Sequence, residues 1–300
     1  STSTSTSTST SPLASSESES SAHESPSPKE LCRSLERRMT LISGTSTCHM
    51  LQSSEPVFVD GVWGPYKSAM VPGMYLTEGG QTATGSLVDH VINTHPAAER
   101  VRALAAQRGC NVYEVLVQLL EEQRQRRQLK HVCQLAAELH MLPDFLGNRS
   151  PLGDSASRGA VFGLSLRQDA DHLALLYLAT VQALAYGTRH ILEHIEAVRL
   201  QPVEVMIMCG GSAKSALYCQ EHADATGCEI VLPAEPDAVL VGAAVLGAVA
   251  SGVHASVIEA MRAMNHVGGG VHPQRDPAVR AYHEAKYQIF LKMHAAQREY

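Results

Sequence analysis

Residues 208–220 read MCGGSAKSALYCQ: an apolar run meets two adjacent glycines, then small polar residues, then a helix-like stretch. Such a corner has chemistry to offer. Glycine carries no Cβ, so Gly210 and Gly211 let a flat or anionic group approach the main chain. Amides at the start of a following helix favour a phosphate. The segment is not a Walker loop, in which glycine directly precedes Lys-Ser; Ala213 stands before Lys214 and Ser215. A glycine pair also serves as a plain packing turn, so this corner alone leaves both readings open. Two further corners share its plan. SGTSTC at 43–48 places a glycine and hydroxyls after an apolar run, and its backbone amides with the Thr45 and Ser46 hydroxyls suit phosphate oxygens. YLTEGGQTATG at 75–85 again carries two glycines toward a helix. Three strand-to-helix glycine turns in one domain point to a nucleotide gripped from several sides.

Elements must exist to hold these corners. Hydrophobic patterning predicts strands at Met39–Ser43, Val57–Asp60 and around Met70–Tyr75, then helices over Gln81–Asn93 and Ala97–Gln107. Asn111 has the character of an N-cap for a long helix over Val112–Leu129. Leu139–Asp154 reads as a strand that breaks into a Pro/Gly/Asn loop, and Arg158–Ser165 as another strand. Asp169–Glu196 has helical spacing of Leu, Ala and Tyr. Val203–Cys209 is a buried strand, Lys214–Thr226 a helix, Glu229–Leu232 a short strand, Asp237–Ala250 a helix and Arg280–Tyr300 an amphipathic helix. The alternation argues for an α/β domain with a partly parallel sheet.

Residues 1–40 differ in kind. Ser, Thr, Glu and Pro dominate there, and so few apolar residues cannot offset the entropy of ordering, which predicts a disordered tail before a folded domain over 41–300. The whole chain has 300 residues, 44% hydrophobic and 18% charged, enough for a sizeable core. Its net charge of −6 gives no pull toward nucleic acid or an anionic membrane. Seven cysteines without CxxC spacing suggest reduced thiols in a cytoplasmic setting. Leu173–Leu192 and Val239–Val253 are the most apolar stretches, and each is either interrupted by polar residues or too short for a membrane span, so both are expected as buried helices.

Beyond the corners, several long motifs resemble the FGGY carbohydrate kinases, within them the ribulokinase-like branch. Val62–Gly85 contains Pro72, Gly73, Tyr75, Glu78, Gly80, Gln81, Ala83 and Gly85 in the family's pattern. LPDFLGNRSPLGDSASRG at 142–159, ATVQALAYGTRHILE at 179–193, CGGSAKSALYCQEHADATG at 209–227 and EPDAVLVGAAVLGAVASG at 235–252 follow in the same order as in that branch. From Gly163 onward the spacing of the family's second signature is longer than its general form. The resemblance spans about Met39 to Tyr300 and implies an actin-like, RNase H-type ATPase domain, the C-terminal half of a sugar kinase. It implies ATP with Mg²⁺ as cofactors and a ketopentose such as D-ribulose as substrate. Gly44, Thr45 and Ser46 would hold phosphates, Gly80 and Gln81 would sit near the nucleotide, and Gly210, Gly211 and Ser215 would face adenine and ribose.

In that family the domain before the GTS corner carries the catalytic aspartate and most sugar contacts. KELCRSLERRMTLIS stands there instead, and neither Asp144 in its PDF turn nor Asp89 in a helix is an obvious substitute, so no catalytic residue is assigned. The rival expectation is a non-catalytic ATP-binding or interaction module that pairs with a separate N-terminal domain or with itself. Other features carry blander readings. His190 and His194 lie four apart but lack the HExxH arrangement, so no metal site is expected. RQRRQLKH at 124–131 follows two glutamates and reads as a solvated helix end. Cys48 fits a small buried thiol, Trp63 a core or cleft wall, and Lys214 either a phosphate contact or a surface helix start.

Overall fold

The computed structural model describes residue 1 and residues 33–299. Of the expected tail, residues 2–32 lie outside the described residues. Residues 33–36 are helical and the first strand starts at Arg38, so the boundary expected at residue 40 falls inside that strand.

A seven-stranded sheet organises the chain in the order β3-β4-β2-β1-β7-β8-β9. The strands are β1 (Arg38–Ser43), β2 (Thr47–Ser53), β3 (Trp63–Lys67), β4 (Tyr75–Gln81), β7 (Val205–Cys209), β8 (Glu229–Pro233) and β9 (Val267–Val271); β5 (His140–Leu142) and β6 (Ala160–Phe162) form a separate pair. Strand β1 is central. It runs antiparallel to β2 and parallel to β7, and its alternation puts Met39, Leu41 and Ser43 fully inside. The helices are α1 (Gly85–Thr94), α2 (Ala98–Arg108), α3 (Val112–Arg126), α4 (Ala170–Arg199), α5 (Ala216–Thr226), α6 (Ala238–Ala250), α7 (Val257–Met264) and α8 (Pro277–Gln297).

Helix α4 is the spine against which the sheet packs. Asp169 caps it by accepting the His172 amide at 2.8 Å, and Leu173, Leu178, Leu184 and Ile191 are buried on it with Met39, Leu41, Leu51, Met206 and Met208 of the sheet. A helix buried nearly all round over residues 170–188 has partners on several sides, here α1, α3 and α5. Asn111 caps α3 as its sequence suggests, with a reciprocal bond to Glu114. Helix α8 starts at Pro277, earlier than expected, because Asp276 caps it and proline suits a first turn. It lays Tyr287, Phe290 and Met293 against Leu142, Ala185 and Tyr186 in a second, smaller core.

Several expected elements shift. Val57–Asp60 form no strand; their place is taken by β2 and β3, which pair with β4. The strand expected at Met70–Tyr75 lies at β4 instead. Helix α7 and strand β9 were not expected. Strand β9 is VGGGV, a composition with little strand propensity, and it exists because β8 offers it a ladder from Ile230 to Pro233. The buried reading of α6 fails: Val239 and Leu240 are 73% and 67% exposed, and only Val245 on this helix is buried. The basic run 124–131 is held in ion pairs, Arg124 with Glu121, Arg126 with Asp171 and Lys130 with Asp276. His190 packs its ring 5.4 Å from His294, and His194 bonds to the Asp60 carbonyl at 2.8 Å. No helix among the described residues is long and apolar enough to cross a membrane.

Burial sets the acid response of this fold. Loss of water pushes His49 down to about 3 and His190, His222, His283 and His294 down to about 4. Unfolded, these rings take up protons near pH 6.5, so below that pH the unfolded chain binds more protons than the folded one. The stability that these five rings contribute is therefore full above about pH 6.5 and falls steadily toward pH 4. Urea titrations across that window should show a midpoint that drops with acidity, and a flat midpoint would contradict the neutral, buried state of these rings.

Candidate functional site

The site begins where two parallel strands end together. Ile42 of β1 pairs with Cys209 of β7, so the turns that follow them leave the sheet side by side. Gly210 makes the second turn possible. Its φ is +94°, and a Cβ there would stand 2.3 Å from the Ser43 carbonyl oxygen. Gly211 differs: an added Cβ would meet nothing within 4 Å. Residues Gly211–Lys214 form one 3₁₀ turn, and Ser215 then caps α5 by accepting the Tyr218 amide at 3.3 Å.

The turn after β1 is the tip of the β1–β2 hairpin, not the strand-to-helix corner that its sequence suggests. Its carbonyls receive the start of α1. Gly44 O accepts from the Gly85 amide at 3.0 Å, and Thr45 O accepts from the Thr84 amide at 2.9 Å and the Ser86 hydroxyl at 3.0 Å. Gly85 is needed for that approach, since a Cβ would lie 2.5 Å from Gly44 O. Beneath the tip lies a buried line of hydroxyls. Tyr218 meets Ser43 at 3.2 Å, Ser43 meets Thr47 at 3.0 Å, Thr47 donates to Thr84 at 3.0 Å, and Thr84 donates to Gly44 O at 3.1 Å. Burial holds the Tyr218 phenol up at about 12, so it stays a donor at neutral pH.

These turns border a cavity of about 700 Å³. Its lining includes Gly44, Thr45, Ser86, Ser212 and Lys214. It also includes Val88 and Asp89 of α1, Tyr113, Glu114, Val117 and Gln118 of α3, and Tyr177 of α4. The Tyr113 hydroxyl donates to Asp89, and its ring centre lies 6.3 Å from that of Tyr177. Hydroxyls, a lysine and aromatic rings in the lining of one cleft suit a ligand that carries both an anionic and a planar group.

Of the residues singled out in the sequence, the structure brings Gly44, Thr45, Gly211 and Ser215 together along this cavity, with Lys214 beside them. Ser46, Gly80, Gln81 and Gly210 do not line it. Ser46 turns into β2, and Gly210 packs against β1. Gly80 is no turn residue: it pairs with Cys48 inside β4, where a Cβ would meet Arg149 Nε and the Thr47 carbonyl at 2.9 Å. Gln81 is buried, donating to Leu184 O and the Thr188 hydroxyl, both at 3.0 Å. Of the three expected strand-to-helix glycine corners, 43–48 is a hairpin tip, and in 75–85 the chain does pass from strand to helix but the glycine pair lies inside the strand, with Gly85 at the helix start. Sequence reasoning missed Asp89, Tyr113, Tyr177 and Val117 as cavity residues. The spacing of Tyr113 and Val117 puts them on one helix face, but nothing local says which element that face meets. Among the described residues, no group of three or more His, Cys, Asp or Glu could hold a metal ion.

Residues 39–251 match the model of the FGGY family of carbohydrate kinases, C-terminal domain. An FGGY carbohydrate kinase domain-containing protein of Danio rerio is 49% identical over 265 residues, covering 88% of this chain and 48% of that protein. A D-ribulokinase of Saccharomyces cerevisiae is 39% identical over 215 residues, covering 71% of this chain and 30% of that protein. The chain thus spans about half the length, or less, of the curated relatives it matches. In fold it is similar to a xylulose kinase from Rhodospirillum rubrum, with TM-score 0.67, 23% identity and coverage of 88% of this chain and 48% of that one. It is also similar to a glycerol kinase from Plasmodium falciparum solved with ADP, with TM-score 0.60, 15% identity and coverage of 85% and 46%.

The two adjacent glycines should respond differently to a methyl group. Gly210→Ala should lower stability by about 1–3 kcal/mol, because backbone must move away from Ser43 and φ is positive. Gly211→Ala should stay within about 0.5 kcal/mol of the parent. Chemical denaturation of both variants checks this, and equal losses would contradict the turn geometry.

Proposed function

The chain belongs to the FGGY family of carbohydrate kinases, and from that premise we propose that it supplies the nucleotide-binding half of an ATP-dependent sugar kinase. The observation that carries this reading is the pairing of the hairpin tip with the Gly-Gly turn at the ends of β1 and β7, opening on one cavity. Thr45 and Lys214 would hold phosphate oxygens, and Gly211 and Ser215 would lie along the ribose and base. Ser46, Gly80, Gln81 and Gly210 would support that site through the hairpin, β4 and the turn rather than by touching the ligand. The residues fit such a ligand: Gly44 and Gly211 present open space where a side chain would stand. They offer Mg²⁺ no carboxylate cage, so the ion would travel on the nucleotide's own phosphates. When bound, Mg²⁺ would neutralise phosphate charge during transfer.

The acceptor we propose is a ketopentose such as D-ribulose, in keeping with the yeast relative's name. The described cavity lacks a base for that sugar. Its two carboxylates, Asp89 and Glu114, are engaged at the outer wall, Asp89 by the Tyr113 hydroxyl and Glu114 by the amide of Asn111. That observation favours a second reading for these residues taken alone, a module that binds ATP without turning it over. The base and most sugar contacts would then come from a partner lobe. The six cysteines among the described residues are free thiols, which suits work in the cytoplasm.

Titration calorimetry should show the chain binding ATP, and Gly211→Val should weaken that binding at least tenfold by crowding the cavity. Absence of ATP binding by the parent protein would remove the nucleotide reading. ATP consumption with D-ribulose decides between the two functional readings: turnover establishes the kinase, and binding without turnover leaves the module. The apolar face of α6, exposed at Val239, Leu240 and Leu246, is the surface we propose for a partner lobe or a second copy. If a second copy is the occupant, sedimentation should show concentration-dependent self-association that Leu240→Lys reduces, and a monodisperse monomer at all concentrations would reject the second copy.

A further inference from the structure

The outer wall of the cavity is built with more care than a mere boundary requires. The capping box of α3 fixes its first turn, with Asn111 and Glu114 each accepting the other's amide at 2.9 Å. Tyr113 projects from that turn. Its hydroxyl is tied to Asp89 on α1, its ring leans on Tyr177, and 41% of the residue remains exposed. An aromatic ring fastened at its hydroxyl and supported by a second ring cannot swing freely, so its open face is a platform set in advance. Val117, one helical turn further, and Val88 border the same space.

Charge gives this platform a direction. The carboxylates of Asp89 and Glu114 disfavour phosphate beside Tyr113, while Lys214 and the hydroxyls of Thr45, Ser86 and Ser212 offer it partners in the same lining. Ser86 bonds the hairpin at Thr45, and Asp89 lies three residues on, about 4.5 Å along the helix axis. The Tyr113 hydroxyl reaches Asp89 from α3. Hairpin tip and tyrosine hydroxyl therefore meet α1 one helical turn apart, along one cleft.

We propose that Tyr113 stacks on the nucleobase of the bound nucleotide and that Asp89 is the positioning residue that holds its ring. The proposal rests on the nucleotide reading above and deepens it by saying which wall takes the base. Burial, with help from Asp89, raises the Tyr113 phenol to about 12, so the hydroxyl keeps the proton it donates. Stacking reads π-area more than hydrogen-bond pattern, so purine nucleotides should bind several-fold more tightly than pyrimidine nucleotides.

Calorimetric titration of the full chain with ATP, CTP and inorganic tripolyphosphate tests this in the parent, Tyr113→Ala, Tyr113→Phe and Asp89→Asn. Tyr113→Ala should weaken ATP at least tenfold and leave tripolyphosphate unchanged. Tyr113→Phe keeps the ring and should bind ATP within about threefold of the parent, and Asp89→Asn should fall between the two. Should Tyr113→Ala fold poorly, Tyr113→Leu keeps bulk against Tyr177 without the aromatic face and should show the same selective loss. Parent-like ATP binding by Tyr113→Ala, alongside loss in Gly211→Val, overturns the stacking role and leaves the nucleotide site standing. Equal weakening of ATP and tripolyphosphate overturns it in favour of a structural role. A parent protein that binds no ATP overturns both.

Discussion

The site depends on one register. Because β1 and β7 are parallel neighbours with Ile42 opposite Cys209, two turns from distant parts of the chain leave the sheet at the same level. Parallel strands cannot be joined by a tight turn, so a long crossover must intervene, and much of the chain between them is spent on α1 to α4. That crossover also delivers the other walls. Helix α1 starts against the hairpin tip, α3 stands beside it through the Tyr113–Asp89 bond, and α4 returns under both with Tyr177. A shift of β1 by one residue would turn Met39 and Leu41 out of the core and part Ser43 from Gly210.

Much of this was legible where a local rule and the tertiary fold agree. Asn111 caps α3, Asp169 precedes α4, and the apolar run ending at Cys209 is a buried strand beside the sheet's centre. The family resemblance rests on long motifs and holds over residues 39–251. Legibility failed where the partner strand, not the local sequence, decides. β2 reads TCHMLQS, with His49 and Gln52 buried; their side chains find partners in Thr188 and Met70, which a one-dimensional pattern cannot reveal. Gly79 and Gly80 look like a turn in isolation, yet both lie in β4 because Ile191 and Arg149 occupy the space that side chains would need. For the site the lesson is similar. Gly211 and Thr45 were readable from glycine and hydroxyl chemistry, whereas Tyr113 and Asp89 needed the helices to be placed first.

Two kinds of surface divide the described chain. Around the cavity, Ser86, Asp89, Tyr113, Glu114 and Ser215 are committed to partners, and the walls are tied together by hydrogen bonds between elements. Helix α6 is the opposite: AVLVGAAVLGAVA is apolar along its length, yet it touches mainly α7 and presents valine and leucine to water. Exposed apolar surface of that continuity is unusual on a protein that works alone. The contrast separates a part of the fold that organises itself from a part whose composition anticipates contact.

The buried hydroxyls under the hairpin tip have a direction. Each hydroxyl owns a single hydrogen. Thr84 gives its hydrogen to Gly44 O, and Thr47 gives its own to Thr84, so in the contact between Ser43 and Thr47 the serine must give. Ser43 then has nothing left for Tyr218, and the phenol must be the giver there. All four O–H bonds thus point one way, from the tyrosine on α5 to a carbonyl in the hairpin, as a proton-ordered wire with one polarity. None of the four can turn a hydrogen toward an incoming anion without breaking the line, which leaves that task to hydroxyls outside it, Thr45 foremost.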